Sequence, residues 1–500
     1  MTPTDFDALP LIPAPASGRL LPGAFTLGRD TPVTAPAALT APRDTLRTWL
    51  TALPHHPAAT GAISLDLDAT LVGDETHRMH ITPTGITLRG ATPIAILRGL
   101  QTLRQLIDAV TPSPSDTAAL TLPCLEIDDR PAFAWRGVML DVARHFFTVP
   151  EVKTFLDKIA RLKFNVFHWH LTDDQGWRIE IKSRPELTRH GSIRAESPLR
   201  EDRKRGDGTP YGPYFCTQDE IRDVVAHATA LGITVVPEID LPGHVMAVLA
   251  CYPELGCTGG PYEVRRTWGI EKDVLCIGNP ASLDFARDVL GEVVALFPGP
   301  FVHIGGDEVP RDRWQECPVC QAAIREHGLA DEVELQGRFM REIETFLAAH
   351  GKRPIGWDEL LEVKPGARTV IASWQGIEAG LHAAATGNDV IMCPLTHCYL
   401  DYRMTDAPGQ HVGATHGKTI SLEKCYGFDP IAAPLRAEHH PRILGLQGNL
   451  WTECVWTVAD LDSLLFPRAQ ALAEVAWTPR ARRDFTSFTR RLKLSAKTSP

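Results

Sequence analysis

The 500-residue chain predicts an α/β architecture, a (β/α)8 barrel of the TIM type preceded by a small α/β domain. Three observations carry that prediction. The chain is too long for one ordinary domain. From Trp135 onward, short runs rich in β-formers alternate with amphipathic helical stretches. Acids and aromatics recur where those runs end, and the carboxyl ends of barrel strands are where such folds keep their chemistry.

Residues 1–130 form the predicted small N-terminal α/β domain with an antiparallel sheet. Short apolar runs at 62–67, 79–82 and 85–88 read as strands, the last two as a hairpin across Pro83-Thr84-Gly85. A helix from about Pro93 to Ala109 carries Ile94, Leu97, Leu100, Leu103 and Leu106 on one stripe. Thr111 to Asp116 reads as an exposed loop, and Ile127 to Pro131 as the domain boundary.

The barrel is expected over 131–500. Its strands are predicted at Gly137–Val142, Val166–Leu171, Thr234–Ile239, Phe301–Ile304, Pro354–Trp357, Thr369–Trp374, Val390–Pro394 and Ile443–Gly448. Helices fall at about 150–162, 217–231, 281–296, 331–350, 376–386 and 457–476. Leu360 to Pro365 is too short for a full crossover helix after the fifth strand, and the tail after Arg480 reads as a last helix through Phe485, Phe488 and Leu492.

Apolar residues make up 44% and charged residues 22%, which is a globular balance. The net charge of −10 argues against a sequence-independent hold on nucleic acid. Only Arg200 to Arg205 is locally basic, and it reads as a solvated loop. No apolar run is long enough to span a bilayer, so no membrane partner is expected. The first residues, MTPTDFDALPLIPAP, have acids and prolines where a secretory signal needs a basic and then an apolar stretch. The expected location is therefore cytoplasmic, or secreted or periplasmic if a leader was removed. Eleven scattered cysteines suit mostly reduced thiols. Cys317 and Cys320 form a Cys-x-x-Cys pair without a second pair at zinc-ribbon spacing, so a local disulfide or packed thiols is expected in preference to zinc. No metal or cofactor is expected.

The strand ends carry Asp141-Val-Ala-Arg144-His145, then His168-Trp-His170-Leu-Thr-Asp173-Asp174, then Glu238-Ile-Asp240-Leu-Pro-Gly-His244, then Gly305-Gly306-Asp307-Glu308. Trp357-Asp358-Glu359, Trp374-Gln375, Tyr399-Leu-Asp401 and Asn449-Leu-Trp451-Thr-Glu453 follow. The two glycines before Asp307 let the backbone turn and let a ligand come close. Acids, an arginine, a tyrosine and tryptophans at successive strand ends suit a sugar, with hydroxyls at its rim and apolar C–H faces.

In order, LDVARHFF, HWHLTDDQGWR, EIDLPGHV, HIGGDE, GWDE, YLD and NLWTE resemble the family 20 glycoside hydrolases, the β-N-acetylhexosaminidases. The resemblance covers nearly the whole barrel, and the first 130 residues resemble the small domain that precedes it in that family. It implies an exo-acting, retaining enzyme that releases terminal non-reducing β-linked GlcNAc or GalNAc from glycans or chito-oligosaccharides. The substrate's own 2-acetamido group is the implied nucleophile, through an oxazolinium intermediate, an exception to the two-carboxylate rule. Glu308 is the implied general acid and base, Asp307 holds the acetamido N–H, and Tyr399 donates to the acetamido oxygen. For this, Glu308 should stay protonated near neutral pH, its pKa raised by the adjacent carboxylate, while Asp307 stays ionised. By the same resemblance Trp357, Trp374 and Trp451 would wall the acetamido pocket, Arg144 and Glu453 would grip outer ring hydroxyls, and Asp401 would lie near the primary hydroxyl. Asp173, Asp240 and His244 are implied to orient the acid pair. The tryptophan that the family commonly has near the primary hydroxyl is missing between Asp401 and Trp451.

Plainer readings stand beside these. Arg144 could be a barrel-end ion pair with Asp141, and His168 and His170 could be packed polar core. A rival enzyme class is a metal-dependent amidohydrolase-type barrel, with His168 and His170 joined by His244 and His303. Against it, the His-x-His pair stands on the second strand and no lysine follows at later strand ends. A second rival is a non-hydrolytic sugar-binding protein, against which the presence of both Asp307 and Glu308 speaks. Oligomeric state is not readable from the sequence.

Overall fold

A computed structural model describes residues 5–495 apart from 54–60, 112–119, 201, 203–204, 408–412 and 414–418. Most of the expected loop at Thr111 to Asp116 and half of the basic stretch therefore lie outside the described residues.

The N-terminal domain is a six-stranded sheet. Its strands are β1 (Ser17–Leu27), β2 (Val33–Thr34), β3 (Ala62–Leu67), β4 (His77–Thr82), β5 (Gly85–Gly90) and β6 (Leu120–Asp129), in the order β1-β6-β4-β5-β3-β2. The predicted hairpin is β4–β5, paired from His77↔Gly90 to Thr82↔Gly85. The helix Pro93–Val110 covers the sheet, opened by Thr92, whose hydroxyl accepts Ala95 N–H, and by Pro93 at its first position. The sheet is mixed rather than antiparallel throughout, because β3 runs parallel to both β5 and β2. The long strand β1 escapes sequence reading since only Phe25 and Leu27 of its eleven residues are buried, and a register shift between Leu20 and Ala24 breaks the alternation.

Eight parallel strands close the barrel: β7 (Trp135–Asp141), β8 (Val166–His170), β11 (Thr234–Glu238), β12 (Phe301–His303), β13 (Arg353–Trp357), β14 (Val370–Ser373), β15 (Val390–Met392) and β16 (Ile443–Leu450). All eight fall within a residue or two of the prediction, the ordinary scatter of element ends. They are buried on both faces, so they read as apolar runs rather than as alternating ones. A small hairpin of β9 (Thr172–Asp173) and β10 (Gly176–Trp177) caps the carboxyl end of β8.

The crossover helices Val149–Arg161 and Gln218–Ala230 each begin with a capping box, Thr148 with Glu151 and Thr217 with Glu220. The fifth crossover is a single 3-10 turn, Asp358–Leu361, as its length required. The helix expected at 457–476 is two helices, Val458–Leu465 and Arg468–Trp477. Pro467 lacks the N–H that would continue the first one. The tail forms the helix Phe485–Ser495, with Phe488 buried. No helix among the described residues is long and apolar enough to cross a membrane.

The two domains meet across buried charge. Glu75 accepts from Arg98 and from Arg136 of β7, both at 2.6 Å, and Lys163 binds Asp129 at 2.7 Å. Trp477 Nε1 donates to the same Asp129 at 2.9 Å. Each charge is paired and hydrogen-bonded, the condition under which ions persist in a core.

Candidate active site

The parallel register stacks the strand ends. Asp141 lies opposite His170, and Glu238 lies opposite both His170 and His303. Glu238 is fully buried and serves several partners at once. Its carboxylate meets His168 at 3.0 Å and His303 at 2.9 Å, accepts Trp357 Nε1 at 2.9 Å, and pairs closely with His170 Nδ1. The other ring nitrogen of His170 lies 2.9 Å from Asp173. Against the penalty of burial, the charge of Glu238 and its bonds to both carboxylates raise His170 to about 10, while burial pushes His168 down to about 4.

These contacts decide the plain reading of the histidines. His168 and His303 come together beside Glu238, but His170 is engaged at both nitrogens and His244 belongs to a different group of carboxylates. The four histidines therefore do not share one metal point.

His244 links the inner and outer parts of the site. Its Nδ1 lies 3.2 Å from Asp173, and its Nε2 lies 3.7 Å from Asp307 and 3.5 Å from Glu308. Although burial opposes it, Asp173 and the surrounding acids hold the imidazole well above its ordinary pKa. Asp240 completes the group, within 4.8 Å of His244 and Asp307.

That one imidazole nitrogen reaches both Asp307 and Glu308 has a backbone cause. Successive side chains of a strand point to opposite faces, but here the strand has ended and the chain turns left-handed. Gly305 has φ +64°, Gly306 +97° and Glu308 +49°. A non-glycine residue held at positive φ costs about 1 kcal/mol or more, and such strain gathers at functional sites. At Gly305 a Cβ would lie 1.6 Å from Asp240 Oδ1, and at Gly306 it would lie 2.5 Å from Leu360. The close approach that needs glycine is thus made by protein groups, Asp240 above all, rather than by a ligand.

Asp307, expected to stay ionised, stands where its surroundings oppose ionisation. Burial, and next the charge of Asp240, lift Asp307 well above the usual carboxylate range. Asp240 is itself pushed up by burial, which the positive charge of His244 opposes. The reason is position: Asp307 is 8% exposed and faces another buried acid. Adjacency along the chain does not set which carboxyl feels a second charge.

Arg144 is paired as the plainer reading held, but with more than Asp141. Its guanidinium meets Asp173 at 2.7 Å, Asp141 at 3.4 Å and Gln175 Oε1 at 2.9 Å, and lies over the Trp451 ring at 5.0 Å. Five N–H donors and three such partners leave donors to spare. Tyr399 is buried, its hydroxyl pKa raised by burial, and its ring lies 6.0 Å from Trp374 and 6.4 Å from Trp451. Trp374 Nε1 is held by Glu359 at 2.9 Å. Trp357 lies deeper, fully buried 6.0 Å from Trp451. Asp401 is buried, and burial plus the neighbouring charge of Glu453 raise its pKa; Glu453 is raised by burial although Arg144 opposes it. The predicted site residues therefore gather at one end of the barrel. Sequence reading missed Glu238 as the shared counter-charge and Gln175 as a support of Arg144. Their signal was present in motifs EIDLPGHV and HWHLTDDQGWR, but their partners come from other strands.

Known proteins share this fold. The glycosyl hydrolase family 20 catalytic domain matches residues 133–480, and domain 2 of the same family matches residues 8–130. The chain is 43% identical over 434 residues to a beta-hexosaminidase of Porphyromonas gingivalis, covering 86% of this chain and 54% of that protein. It thus spans little more than half the length of that relative. A beta-hexosaminidase of Vibrio furnissii is 37% identical, with 94% of this chain and 77% of that protein covered. A solved exo beta-N-acetylglucosaminidase of Vibrio harveyi, in complex with N-acetylglucosamine, superposes with a TM-score of 0.88 at 34% identity, covering 99% of this chain and 78% of that one. With both family regions matched in order along one chain, the protein belongs to glycosyl hydrolase family 20.

Proposed function

We propose that this chain, divided into domains at about residue 130, is an exo-acting β-N-acetylhexosaminidase. It removes terminal non-reducing β-linked GlcNAc or GalNAc with retention of configuration, through an oxazolinium formed within the substrate. One observation carries the reading: Asp307 Oδ1 is buried and has no hydrogen-bond partner among the described residues. A buried acceptor left without a donor is costly, and the acetamido N–H of the substrate is a donor of the right kind beside Glu308.

In this reading Glu308 protonates the leaving glycosidic oxygen as the acetamido carbonyl oxygen attacks the anomeric carbon. Asp307 accepts the acetamido N–H and balances the charge growing on nitrogen. Tyr399, kept protonated by burial, donates to the acetamido oxygen. Glu308 then takes a proton from water, which attacks the anomeric carbon and reopens the ring. Trp374, Trp451 and the deeper Trp357 wall the acetamido methyl. Arg144 and Glu453 hold outer ring hydroxyls, and Asp401, whose Oδ1 also lacks a partner among the described residues, accepts from another. Asp173, Asp240 and His244 position the acid pair.

The test compares two aryl glycosides, a β-N-acetylglucosaminide and its 2-hydroxy counterpart. Turnover of the first with a loss of several orders of magnitude on the second is expected, together with single sugars as the first product from a chitin oligomer. Comparable rates on both glycosides would remove the acetamido group from the mechanism.

A further inference from the structure

Four of the eleven cysteines converge away from the sugar site. Cys257 and Cys276 belong to the long connection after β11, while Cys317 and Cys320 flank the start of the helix Pro318–Glu326. The Cys276 sulfur lies 3.6 Å from those of Cys317 and Cys320, and the Cys257 sulfur lies 4.0 Å from that of Cys320. All four sulfurs lie within 4.8 Å of one another. A zinc–thiolate bond of about 2.3 Å places four sulfurs on a tetrahedron with edges of about 3.8 Å. A disulfide would instead draw one pair to about 2.05 Å, and none of these four cysteines is in a disulfide.

We propose that Cys257, Cys276, Cys317 and Cys320 bind one zinc ion in a closed, structural site of four thiolates.

The surroundings fit a bound cation held by thiolates. Cys317 is the N-cap of a nine-residue helix and Cys320 sits in its first turn, so unpaired N–H groups and the helix dipole favour negative sulfur there. The backbone N–H of Asn279 faces the Cys276 sulfur and that of Gly278 the Cys320 sulfur, supports of the kind that orient metal ligands. Gly278 packs directly on the Cys-x-x-Cys turn, where a Cβ would come within 2.6 Å of Cys320 Cα. Cys276, Cys317 and Cys320 are buried, while Cys257 is partly exposed and gives an ion a way in.

The bound ion would tie the connection after β11 to the segment that follows Asp307 and Glu308. Trp314 Nε1 already donates to Leu275 O across that seam at 2.8 Å. The same connection carries Thr267, whose carbonyl accepts Gln175 Nε2 at 3.0 Å, and Gln175 holds Arg144. A loosened connection would therefore be felt at Arg144.

The test is metal content of the full chain, purified under reducing conditions without chelator and then offered zinc. Elemental analysis should find about one zinc per chain, and an organomercurial should release it. Cobalt exchanged into the site should show thiolate charge-transfer absorption in the near ultraviolet and tetrahedral bands in the red. The double variant Cys276→Ser/Cys320→Ser should lose the metal, while Cys124→Ser, in the N-terminal domain, should keep it. Should the double variant not fold, the cobalt spectrum of the parent protein decides. Failure to take up zinc, a cobalt spectrum without thiolate bands, zinc retained by the folded double variant, or a disulfide among the four in the native protein would each overturn the proposal.

Discussion

Replacing Asp240 by asparagine tests the electrostatics of the acid pair directly. The amide keeps the side-chain shape and the acceptor for Gly306 N–H, now at 3.2 Å, but removes the charge. Asp240 and Asp307 lie within 4.8 Å of each other, and after burial the charge of Asp240 is the main reason Asp307 is raised. A unit charge at that distance in an effective dielectric near 20 contributes about 3 kcal/mol. In the proposed mechanism Asp307 works ionised, so its protonation sets the acid limb of kcat/KM, which reports the free enzyme. In Asp240→Asn that limb should move to lower pH, whatever happens to the maximal rate.

Stability gives an independent reading of the same variant. The folded pKa of Asp240 is raised, so its favourable contribution is present at pH below the unfolded value and is lost as pH rises through the folded one. At neutral pH the buried acid is a burden, and Asp240→Asn should melt at higher temperature than the parent. Profiles on a chromogenic N-acetylglucosaminide and thermal unfolding at neutral pH check both. An acid limb that stays in place or moves to higher pH would refute the account of the dyad.

Two further outcomes follow from the contacts. Glu308→Gln should lose about a hundredfold to ten-thousandfold on substrates with poor leaving groups and much less on activated aryl ones, whereas Asp307→Asn should lose activity on both; equal leaving-group sensitivity in a substrate series contradicts the division of roles. At the domain junction, Glu75→Gln strands the buried Arg98 and Arg136 and should cost about 3–5 kcal/mol in denaturant unfolding. Glu75 is held down to about 2, although burial opposes it, by the charges of Arg136 and Arg98, so its stabilisation is present above the unfolded value and is lost as pH falls through about 2.

The barrel was legible because its strands are buried on both faces and punctuated by polar ends, a pattern carried within each segment. The N-terminal sheet was less so: β1 is mostly exposed and bulged, and the helix Thr40–Thr51 buries only Pro42, Leu46 and Leu50. In the site, Asp307, Glu308, Arg144 and Tyr399 declared themselves at strand ends through their motifs. What sequence could not carry is partnership across strands. Asp240 rather than Glu308 is the acid that perturbs Asp307, and Glu238 is the one charge set against three histidines. The cysteine group fails for the same reason. Cys276 stands 41 positions before Cys317, and Cys257 stands 63 before Cys320, so only the Cys-x-x-Cys half looks like a site until the barrel closes.

The charges of the pocket argue for the kind of species it stabilises. Asp240, Asp307, Asp401 and Glu453 all have raised pKa values, with burial the largest cause in each. Arg144, His170 and His244 are the cations among them, and Asp141, Asp173 and Glu238 already engage these closely. The outer acids are left short of positive charge. A neutral sugar does not supply it, but in the proposed mechanism the oxazolinium and the transition state leading to it do, at the acetamido nitrogen beside Asp307 and at the ring. On that mechanism the site gains more from the charged species than from the substrate, which is what lowers a barrier rather than merely improving binding. The cost appears in the unliganded protein as buried acids with raised pKa values and as Glu308 held at positive φ.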